Sequence, residues 1–429
     1  MSSLAVRHSA RIRQAANVAQ GRFTPYLAAD WGQDEHALAR QWLDGATLSG
    51  AREGLKRALG DGQRTHVRLL NLGRSAIQLA LEAMGLPPGA GVIVPSYACA
   101  GVVMPVIQAG LRPVLADVGD DLNLTLETIR AAHEPDVGAV VVPHLAGVWV
   151  RELDDIVEWA RGAGLYVIED AAHAHGMSVD GVEAGATGDA AIFSSGGGKP
   201  VFGPSGGWLA IGDDALAERA AARPAMIEPP AVVRGRLTDF MHRFARPEIQ
   251  LGRTWLVSRA AAAMQRHPTG TSQTDGALSF PIAEIAEVDA ALVESMLPRL
   301  PGLISSRREN AAVWRNALRP LESGTFRMAP EDRNSHTHLW LSFRGPGAEQ
   351  RASEARTLLW RHGVETADLY VPLHRRPLVA HVRSRDLPVT EDLWRGIFLV
   401  PTRPSLRPAD RHRIGDAAEV LAGWIADRH

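Results

Sequence analysis

Lysine is the scarcest charged residue in this 429-residue chain. Only Lys56 and Lys199 stand among its 46 lysines and arginines, so the other 44 are arginine. Cysteine is nearly absent as well: the single residue, Cys99, excludes an internal disulfide and therefore a disulfide-stapled secreted fold. This composition favours a reducing, cytoplasmic location.

A strong net charge and long apolar runs are also missing. The formal net charge is only −2, which gives no field for holding nucleic acid or an anionic membrane. No stretch reaches the roughly 18 uninterrupted apolar residues that span a bilayer. These absences exclude nucleic-acid binding and membrane insertion as the main activity, and the partners we expect are small molecules.

Short apolar runs alternate with helical stretches between about residues 67 and 211. Continuous apolar runs are typical of strands that are covered on both faces, and helices between such strands favour a parallel arrangement. The pattern predicts an α/β fold with a mostly parallel central sheet flanked by helices. The predicted strands are Val92–Ser96, Arg112–Asp117, Gly138–His144, Leu165–Asp170, Ala190–Ser194 and Gly207–Gly212.

The chain divides into three regions by pattern. Residues 1–40 form an N-terminal extension, and residues 41–285 form a large α/β domain that includes a divergent 213–280 insertion. Residues 286–429 combine helical patterns with short strands, which predicts a smaller α+β C-terminal domain.

Ligands of a parallel α/β sheet gather at the carboxyl ends of its strands. Here those ends carry an acid, hydroxyls and a histidine, and a glycine-rich segment with a lysine follows the last of them. A P-loop is excluded, because Phe193 and Pro200 stand where that motif needs Gly and Ser or Thr. The residues of this edge are Ser96, His144, Asp170, Ser194 and Gly196–Lys199.

A metal site is weakly supported at this edge. His173 and His175 follow Asp170, and on a strand their rings would point to the same side. No further ligands are evident in the sequence, so each histidine is better interpreted as structural, and we predict no metal.

A lysine beyond a strand-end aspartate suits pyridoxal 5′-phosphate. The amine of Lys199 would form a Schiff base with the aldehyde, and Asp170 would keep the pyridine nitrogen protonated. The phosphate needs amides at a helix N-terminus and hydroxyls, which Gly73, Arg74 and Ser75 offer. The alternative is that Lys199 is an ordinary surface lysine.

The order of these elements resembles the DegT/DnrJ/EryC1/StrS family of pyridoxal-phosphate-dependent sugar aminotransferases, which have aspartate-aminotransferase fold type I. The resemblance runs from about residue 40 to the C-terminus, and residues 225–278 are its least familiar part. It rests on the stretches LGRSAIQLALEAMGLPPGAGVIVPSY, GLRPVLADV, VVVPHLAGV, LYVIEDAAHAHG, GDAAIFSSGGGKPVFGPSGGWLAI and YVPLHRRP.

The resemblance implies a role for each matching residue. Lys199 takes the place of the Schiff-base lysine, Asp170 that of the carboxylate on the pyridine nitrogen, and His173 that of a side chain near the ring hydroxyl. Phosphate binding falls to Ser194, Gly73, Arg74 and Ser75.

Some positions depart from the family pattern. Arg74 replaces the usual threonine of the phosphate turn, and Cys99 stands where an aromatic ring commonly stacks on the cofactor, with Tyr97 two residues away. Ser279, Phe280 and Pro281 replace a segment whose asparagine often reaches the partner subunit's phosphate. These departures leave the predicted fold unchanged, and whether they signal a changed reaction stays open.

By resemblance, the expected reaction moves an amino group from an amino acid, most simply glutamate, to a keto-sugar that carries a nucleotide, as in amino sugar biosynthesis. His144 and His374 are candidate substrate contacts, and a homodimer is expected. Two alternatives remain: another pyridoxal-phosphate reaction, such as elimination or decarboxylation of a natural-product intermediate, or a non-catalytic regulatory relative.

Overall fold

The structure is a computed structural model that describes residues 23–60, 66–245, 280–379, 382 and 386–428. Its helices are α1 (Gln33–Leu43), α2 (Ala51–Gly60), α3 (Gly73–Met84), α4 (Ala100–Gln108), α5 (Leu126–Ala132), α6 (Leu153–Gly162), α7 (Asp214–Ala222), α8 (Pro230–Arg243), α9 (Glu287–Met296), α10 (Leu300–Leu318), α11 (Ala348–Arg361), α12 (Pro388–Leu393) and α13 (Pro408–Ala426). Its strands are β1 (His66–Leu70), β2 (Gly91–Pro95), β3 (Arg112–Ala116), β4 (Val137–Pro143), β5 (Tyr166–Asp170), β6 (Ser178–Val179), β7 (Val182–Glu183), β8 (Ala190–Ser194), β9 (Gly207–Ile211), β10 (Phe326–Met328), β11 (Leu339–Phe343) and β12 (Ile397–Val400).

Seven strands form the central sheet in the order β1-β9-β8-β5-β4-β2-β3. The pairs among β8, β5, β4, β2 and β3 are parallel, whereas β9 runs antiparallel to both β8 and β1. This arrangement confirms the predicted mostly parallel sheet. It also adds the edge strand β1, which was not among the predicted runs because His66 and Arg68 interrupt its apolar residues.

Successive strand residues pack into two different layers of core. Leu70, Val92 and Val94 contact the apolar face of α3 and α4, while Leu69 and Ile93 pack on the opposite side under α6 and α9. Because side chains alternate across a strand, a run that is apolar at every position must be covered on both faces. The sheet is therefore the middle layer of three.

A second, three-stranded antiparallel sheet in the order β10-β11-β12 lies in the C-terminal third, covered by α10, α11 and α13. Helix α10 joins the two units: Leu300 and Ile304 belong to the core beside the large sheet, whereas Trp314 and Leu318 belong to the core beside the small one. The predicted boundary between residues 285 and 286 stays a prediction. Helix α9, which follows that boundary, packs with the large sheet.

The described part of the 213–280 insertion is helical and comprises α7 and α8. Arg236 of α8 forms ion pairs with Glu228 and Asp289, so this guanidinium is bound within the protein. Residues 246–279, including Ser279, lie outside the described residues. None of the described helices is long and apolar enough to cross a membrane.

Candidate active site

The carboxyl edge of the sheet brings Lys199 and Asp170 together. Strand β5 ends at Asp170, and β8 ends at Ser194, from which a turn leads to the lysine. Gly197 and Gly198 in this turn have φ values of 61° and 79°, a left-handed conformation that glycine adopts without strain. The turn directs Lys199 back over the edge that the strand ends form.

His173 is the nearest polar partner of Lys199. The two side-chain nitrogens, Lys199 Nζ and His173 Nε2, are 2.6 Å apart. The other ring nitrogen of His173, Nδ1, accepts a hydrogen bond from the backbone N–H of Ala146 at 3.1 Å. Burial and the neighbouring lysine hold the pKa of His173 well below its ordinary value, so the ring is neutral.

Burial also lowers the pKa of Lys199, while the negative charges that Asp170 and Cys99 can carry oppose that effect. Burial raises the pKa of Asp170, and Lys199 and the N–H of Ala172, which donates to Asp170 Oδ1 at 3.0 Å, counteract it. The pair therefore joins a lysine that loses its proton readily to a carboxylate that holds a proton more tightly than usual.

The predicted phosphate turn lies against the end of β8. Helix α3 begins at Gly73, and a Cβ atom there would come within 2.9 Å of Ser194 Cβ, so glycine allows this close approach. The first-turn amides of a helix have no acceptor within the helix and favour an anion. Ser75 differs, because its buried hydroxyl donates to Asn71 Oδ1 at 2.9 Å.

The departures from the family pattern cluster beside this turn. The guanidinium of Arg74 lies 5.0 Å from the centre of the Phe280 ring, a cation–π contact. Cys99 caps α4, and its sulfur accepts a hydrogen bond from the N–H of Gly101 at 3.3 Å. Tyr97 is fully buried beyond the end of β2 and has an edge-to-face contact with Tyr370.

His144 does not lie at a surface that a substrate could reach. Its side chain has no exposed area, its Nδ1 accepts the N–H of Val150 at 3.1 Å, and its Nε2 lies 2.9 Å from Glu169 Oε1. Since Nδ1 is an acceptor, the single ring proton is on Nε2 and is donated to Glu169. We therefore correct the predicted substrate contact to a structural pair that packs beneath the strand ends.

The other predicted histidines take separate positions. His374 lies in the turn Leu373–Arg375, and its Nε2 is 2.5 Å from Glu391 Oε1. His173 and His175 lie in a turn after β5 and not on a strand, so the alternation of strand side chains considered for them does not apply. His175 packs edge-on against Phe193 and Trp208.

Residues from the N-terminal segment and the small domain complete the site, and sequence reasoning missed them. The hydroxyl of Tyr26 lies 2.6 Å from Nδ1 of His338, and the His338 ring meets the His173 ring edge to face at 5.0 Å. Tyr370, whose pKa burial raises well above its ordinary value, is close enough to Cys99 and Asp170 to feel their charge. Only Tyr370 had a signal, because it begins the stretch YVPLHRRP.

These side chains fit pyridoxal phosphate by their chemistry. A half-buried lysine with a lowered pKa, a buried carboxylate beside it and a serine against a helix N-terminus provide the three kinds of group that the cofactor needs. Within the described residues, no group of three His, Cys, Asp or Glu side chains could hold a metal ion.

Comparison with known proteins points in the same direction. Residues 41–419 match the DegT/DnrJ/EryC1/StrS aminotransferase family. GDP-perosamine synthase of Caulobacter vibrioides is 27% identical over 355 residues, 81% of this chain and 84% of that protein. The dTDP-4-dehydro-2,3,6-trideoxy-D-glucose 4-aminotransferase of Saccharopolyspora spinosa is 29% identical over 357 residues, 82% of this chain and 83% of that protein.

Solved structures confirm the fold. DesV of S. venezuelae is 25% identical, with a TM-score of 0.68 over 90% of this chain and 94% of that one. An aminotransferase from Psychrobacter cryohalolentis is 20% identical, with a TM-score of 0.72 over 94% of this chain and 100% of that one. The central sheet and the small domain thus have the architecture of these aminotransferases.

Proposed function

The chain belongs to the DegT/DnrJ/EryC1/StrS aminotransferase family, and we propose that it transfers an amino group from an amino acid to a nucleotide-linked keto-sugar. The enzyme is an aminotransferase that depends on pyridoxal 5′-phosphate, as its family does. The observation that carries the proposal is the half-buried Lys199, held beside Asp170 and His173 at the carboxyl edge of the sheet.

Each group of the cofactor has a counterpart among these residues. Lys199 would hold the aldehyde carbon, Asp170 the protonated ring nitrogen, and His173 the ring hydroxyl. Ser194 and the first-turn amides of α3 at Gly73 would bind the phosphate. Arg74 adds a positive charge at this turn, while Ser75 supports the turn from within through its bond to Asn71.

When bound, the cofactor supplies an aldehyde that takes up the amino group and a ring that withdraws electrons from the α-carbon of the donor. Lys199 would then serve as the base and acid. Its Nζ would take the proton from that carbon, and a lowered pKa leaves more of the amine neutral and able to accept it. Asp170 would face the ring nitrogen and favour its protonated form.

The relatives support a keto-sugar as the acceptor. Their names specify sugars linked to GDP and dTDP, and a relative from Acidithiobacillus ferrooxidans is a UDP-N-acetyl-3-dehydro-alpha-D-glucosamine 3-aminotransferase. A nucleoside diphosphate is common to the names of all three relatives. The base differs among them, and the aminated carbon differs between the 4-aminotransferase and the 3-aminotransferase. We therefore extend only the nucleotide-linked keto-sugar to this enzyme.

Spectroscopy with the purified protein tests the function. After loading with pyridoxal phosphate, L-glutamate should convert the cofactor to its amine form, with the matching change in absorption and one equivalent of 2-oxoglutarate. Adding a panel of 3-keto and 4-keto sugars linked to GDP, dTDP and UDP should restore the aldehyde form with one member. Failure of every amino donor to change the absorption would contradict transamination.

We also propose a homodimer in which two copies associate through a two-fold axis. Met226, Ile227 and Val232 supply apolar surface for it: Ile227 is 77% exposed and Met226 63%. Light scattering should give twice the mass of the 429-residue chain. An Ile227→Asp variant that leaves a dimer intact would exclude this surface. The domain boundaries and the cytoplasmic location remain predictions.

A further inference from the structure

A segment of the small domain, residues 335–338, holds the backbone of His173 from behind. The hydroxyl of Thr337 donates to the carbonyl oxygen of His173 at 2.7 Å, and the hydroxyl of Ser335 donates to the same oxygen at 3.1 Å. Thr337 and Ser335 are both buried. These two hydrogen bonds hold the backbone of His173 in place, and with it the position of the imidazole ring beside Lys199.

The same segment also fixes the loop that faces the other side of the imidazole. The N–H of His338 donates to the carbonyl of Ala146 at 3.0 Å, and that of Ser335 donates to the carbonyl of Gly147 at 2.9 Å. A Cβ atom on Gly147, where φ is +87°, would lie 2.1 Å from Ser335 Oγ, so this approach requires glycine. The result is that the N–H of Ala146 points at His173 Nδ1.

Counting protons then determines the charge of Lys199. Nδ1 of His173 accepts the N–H of Ala146, so a neutral ring carries its one proton on Nε2. Nε2 lies 2.6 Å from Lys199 Nζ, and one of these two atoms must donate. An ammonium group has no lone pair to accept the Nε2 proton, so the bond requires Lys199 as a neutral amine that accepts it.

We infer that Ser335 and Thr337 are positioning residues that, through His173, hold Lys199 as a neutral and nucleophilic amine before the cofactor binds. The inference rests on the proposed role of Lys199 in the transfer reaction. It adds a function for the small domain, which contributes the donors that orient the imidazole of the large domain.

Other charges around Lys199 act in both directions. Negative charge on Asp170 and Cys99 favours the ammonium form, while burial opposes it. His338 stays neutral, because burial in the first place, then Lys199 whenever it is charged, and Arg307 lower its pKa to about 3. The titratable and charged groups that face this region are Asp170, Cys99, His173, His338, Tyr26, Tyr370 and Arg307.

The chain's two lysines make a direct test possible on the cofactor-free protein. Acetic anhydride acetylates only neutral amines, and mass spectrometry can follow Lys199 and Lys56 separately as the pH is varied. The Lys56 side chain is 43% exposed and pairs with Glu53, so it serves as the reference amine. Lys199 should have a lower midpoint than Lys56, because burial lowers its pKa. Slow access of the reagent to Lys199 would change the rate of acetylation but not its midpoint. A midpoint at or above that of Lys56 would overturn the inference.

Variants of the hydroxyls test the positioning. Thr337→Val combined with Ser335→Ala removes both donors at nearly constant volume and should raise the Lys199 midpoint by about one pH unit, a tenfold change in the ratio of neutral to charged amine. Thr337→Ser keeps the donor and should leave the midpoint unchanged. If the double variant folds poorly, Thr337→Val alone serves, with a smaller shift in the same direction. A folded variant lacking the donors that keeps the wild-type midpoint would refute the positioning role.

The acetylation experiment separates a failure of the inference from a failure of the proposed function. A low Lys199 midpoint in a protein that transfers no amino group would support the inference and refute the function. Amino transfer by a protein whose Lys199 midpoint equals that of Lys56 would support the function and refute the inference. Lys56→Arg leaves Lys199 as the only side-chain amine and should reproduce the wild-type midpoint and activity.

Discussion

Two buried histidines flank Asp170 and use the same hydrogen-bonding pattern for different purposes. His144 and His173 each accept a backbone N–H at Nδ1, so each presents its proton on Nε2. His144 donates that proton to Glu169, whereas His173 meets the amine of Lys199. The two positions therefore differ in the group that faces Nε2: a carboxylate at His144, and at His173 the amine that we propose to react.

Glu169 and Lys199, the groups that face the two histidines, also differ in the number of their hydrogen-bond partners. Burial alone would raise the pKa of Glu169, but His144 and the N–H groups of Gly185 and Thr187 outweigh it, and the pKa is lowered. Glu169 is therefore a stable anion. Lys199 has a lowered pKa and one polar partner within hydrogen-bonding distance that the structure describes, which leaves its amine available for chemistry.

The largest effect is expected from removing the reactive acceptor. Lys199→Arg keeps a long cationic side chain, but a guanidinium does not deprotonate and cannot serve as the amine base. We expect a loss of at least about 10³-fold in kcat for amino transfer. Lys56→Arg is the control and should keep full activity. Retention of substantial turnover by the Lys199 variant would separate the reaction from this edge of the sheet.

Removing the structural acceptor should affect stability more than chemistry. Glu169→Ala leaves the His144 N–H and three backbone amides without an acceptor, so we expect a loss of about 3–5 kcal/mol in the free energy of unfolding. Urea denaturation measures this loss. Glu391→Ala removes the partner of the more exposed His374 and should cost about 0–1 kcal/mol. Equal losses would contradict the difference in burial.

Replacing each histidine in turn should separate the effect on catalysis from the effect on stability. His173→Phe preserves ring volume and removes the donor to Lys199, so we expect about a 10²-fold decrease in kcat/KM with little change in thermal unfolding. His144→Phe should lower the free energy of unfolding by about 3 kcal/mol, since it strands the buried carboxylate of Glu169. A stable, fully active His144→Phe protein would show that the pair contributes little.

The smallest effect concerns the half-buried pair of His374 and Glu391 and its pH dependence. Hydrogen bonds from Arg375, and then His374, lower the pKa of Glu391 to about 2 from an ordinary value of 4.5. A carboxylate with a lowered folded-state pKa stabilises the protein above pH 4.5, and this contribution disappears as the pH falls toward 2. Wild type should therefore exceed Glu391→Gln in Tm at pH 6, and the gap should narrow steadily below pH 4.5.

The fold was predictable to the extent that burial on both faces leaves a pattern. Strand β8 occupies Ala190–Ser194 as predicted, and β5 ends at Asp170 as predicted. Strand β1 has no continuous apolar run because an edge strand begins exposed, and so its pattern is weak. Helix α10 begins in one core and ends in the other, which no local pattern indicates.

The candidate site likewise has residues that the sequence indicates and residues that only the fold brings to it. The lysine, aspartate and glycines that follow the strand ends can be identified directly in the sequence, and the resemblance to the family rests partly on them. The contributions of Tyr26, Thr337 and His338 depend on contacts between segments more than a hundred residues apart. Their sequence surroundings carry no recognised motif.

The order of residues alone predicts the parallel sheet and singles out the amine that we propose to react. An apolar run specifies a buried strand locally, and in a chain with two lysines only Lys199 follows a strand-end serine and a glycine turn. Tertiary structure alone decided which histidine meets that amine. His144 and His173 differ through the groups that folding brings within about 3 Å of each ring nitrogen, a length at which hydrogen bonds form and which no local pattern encodes.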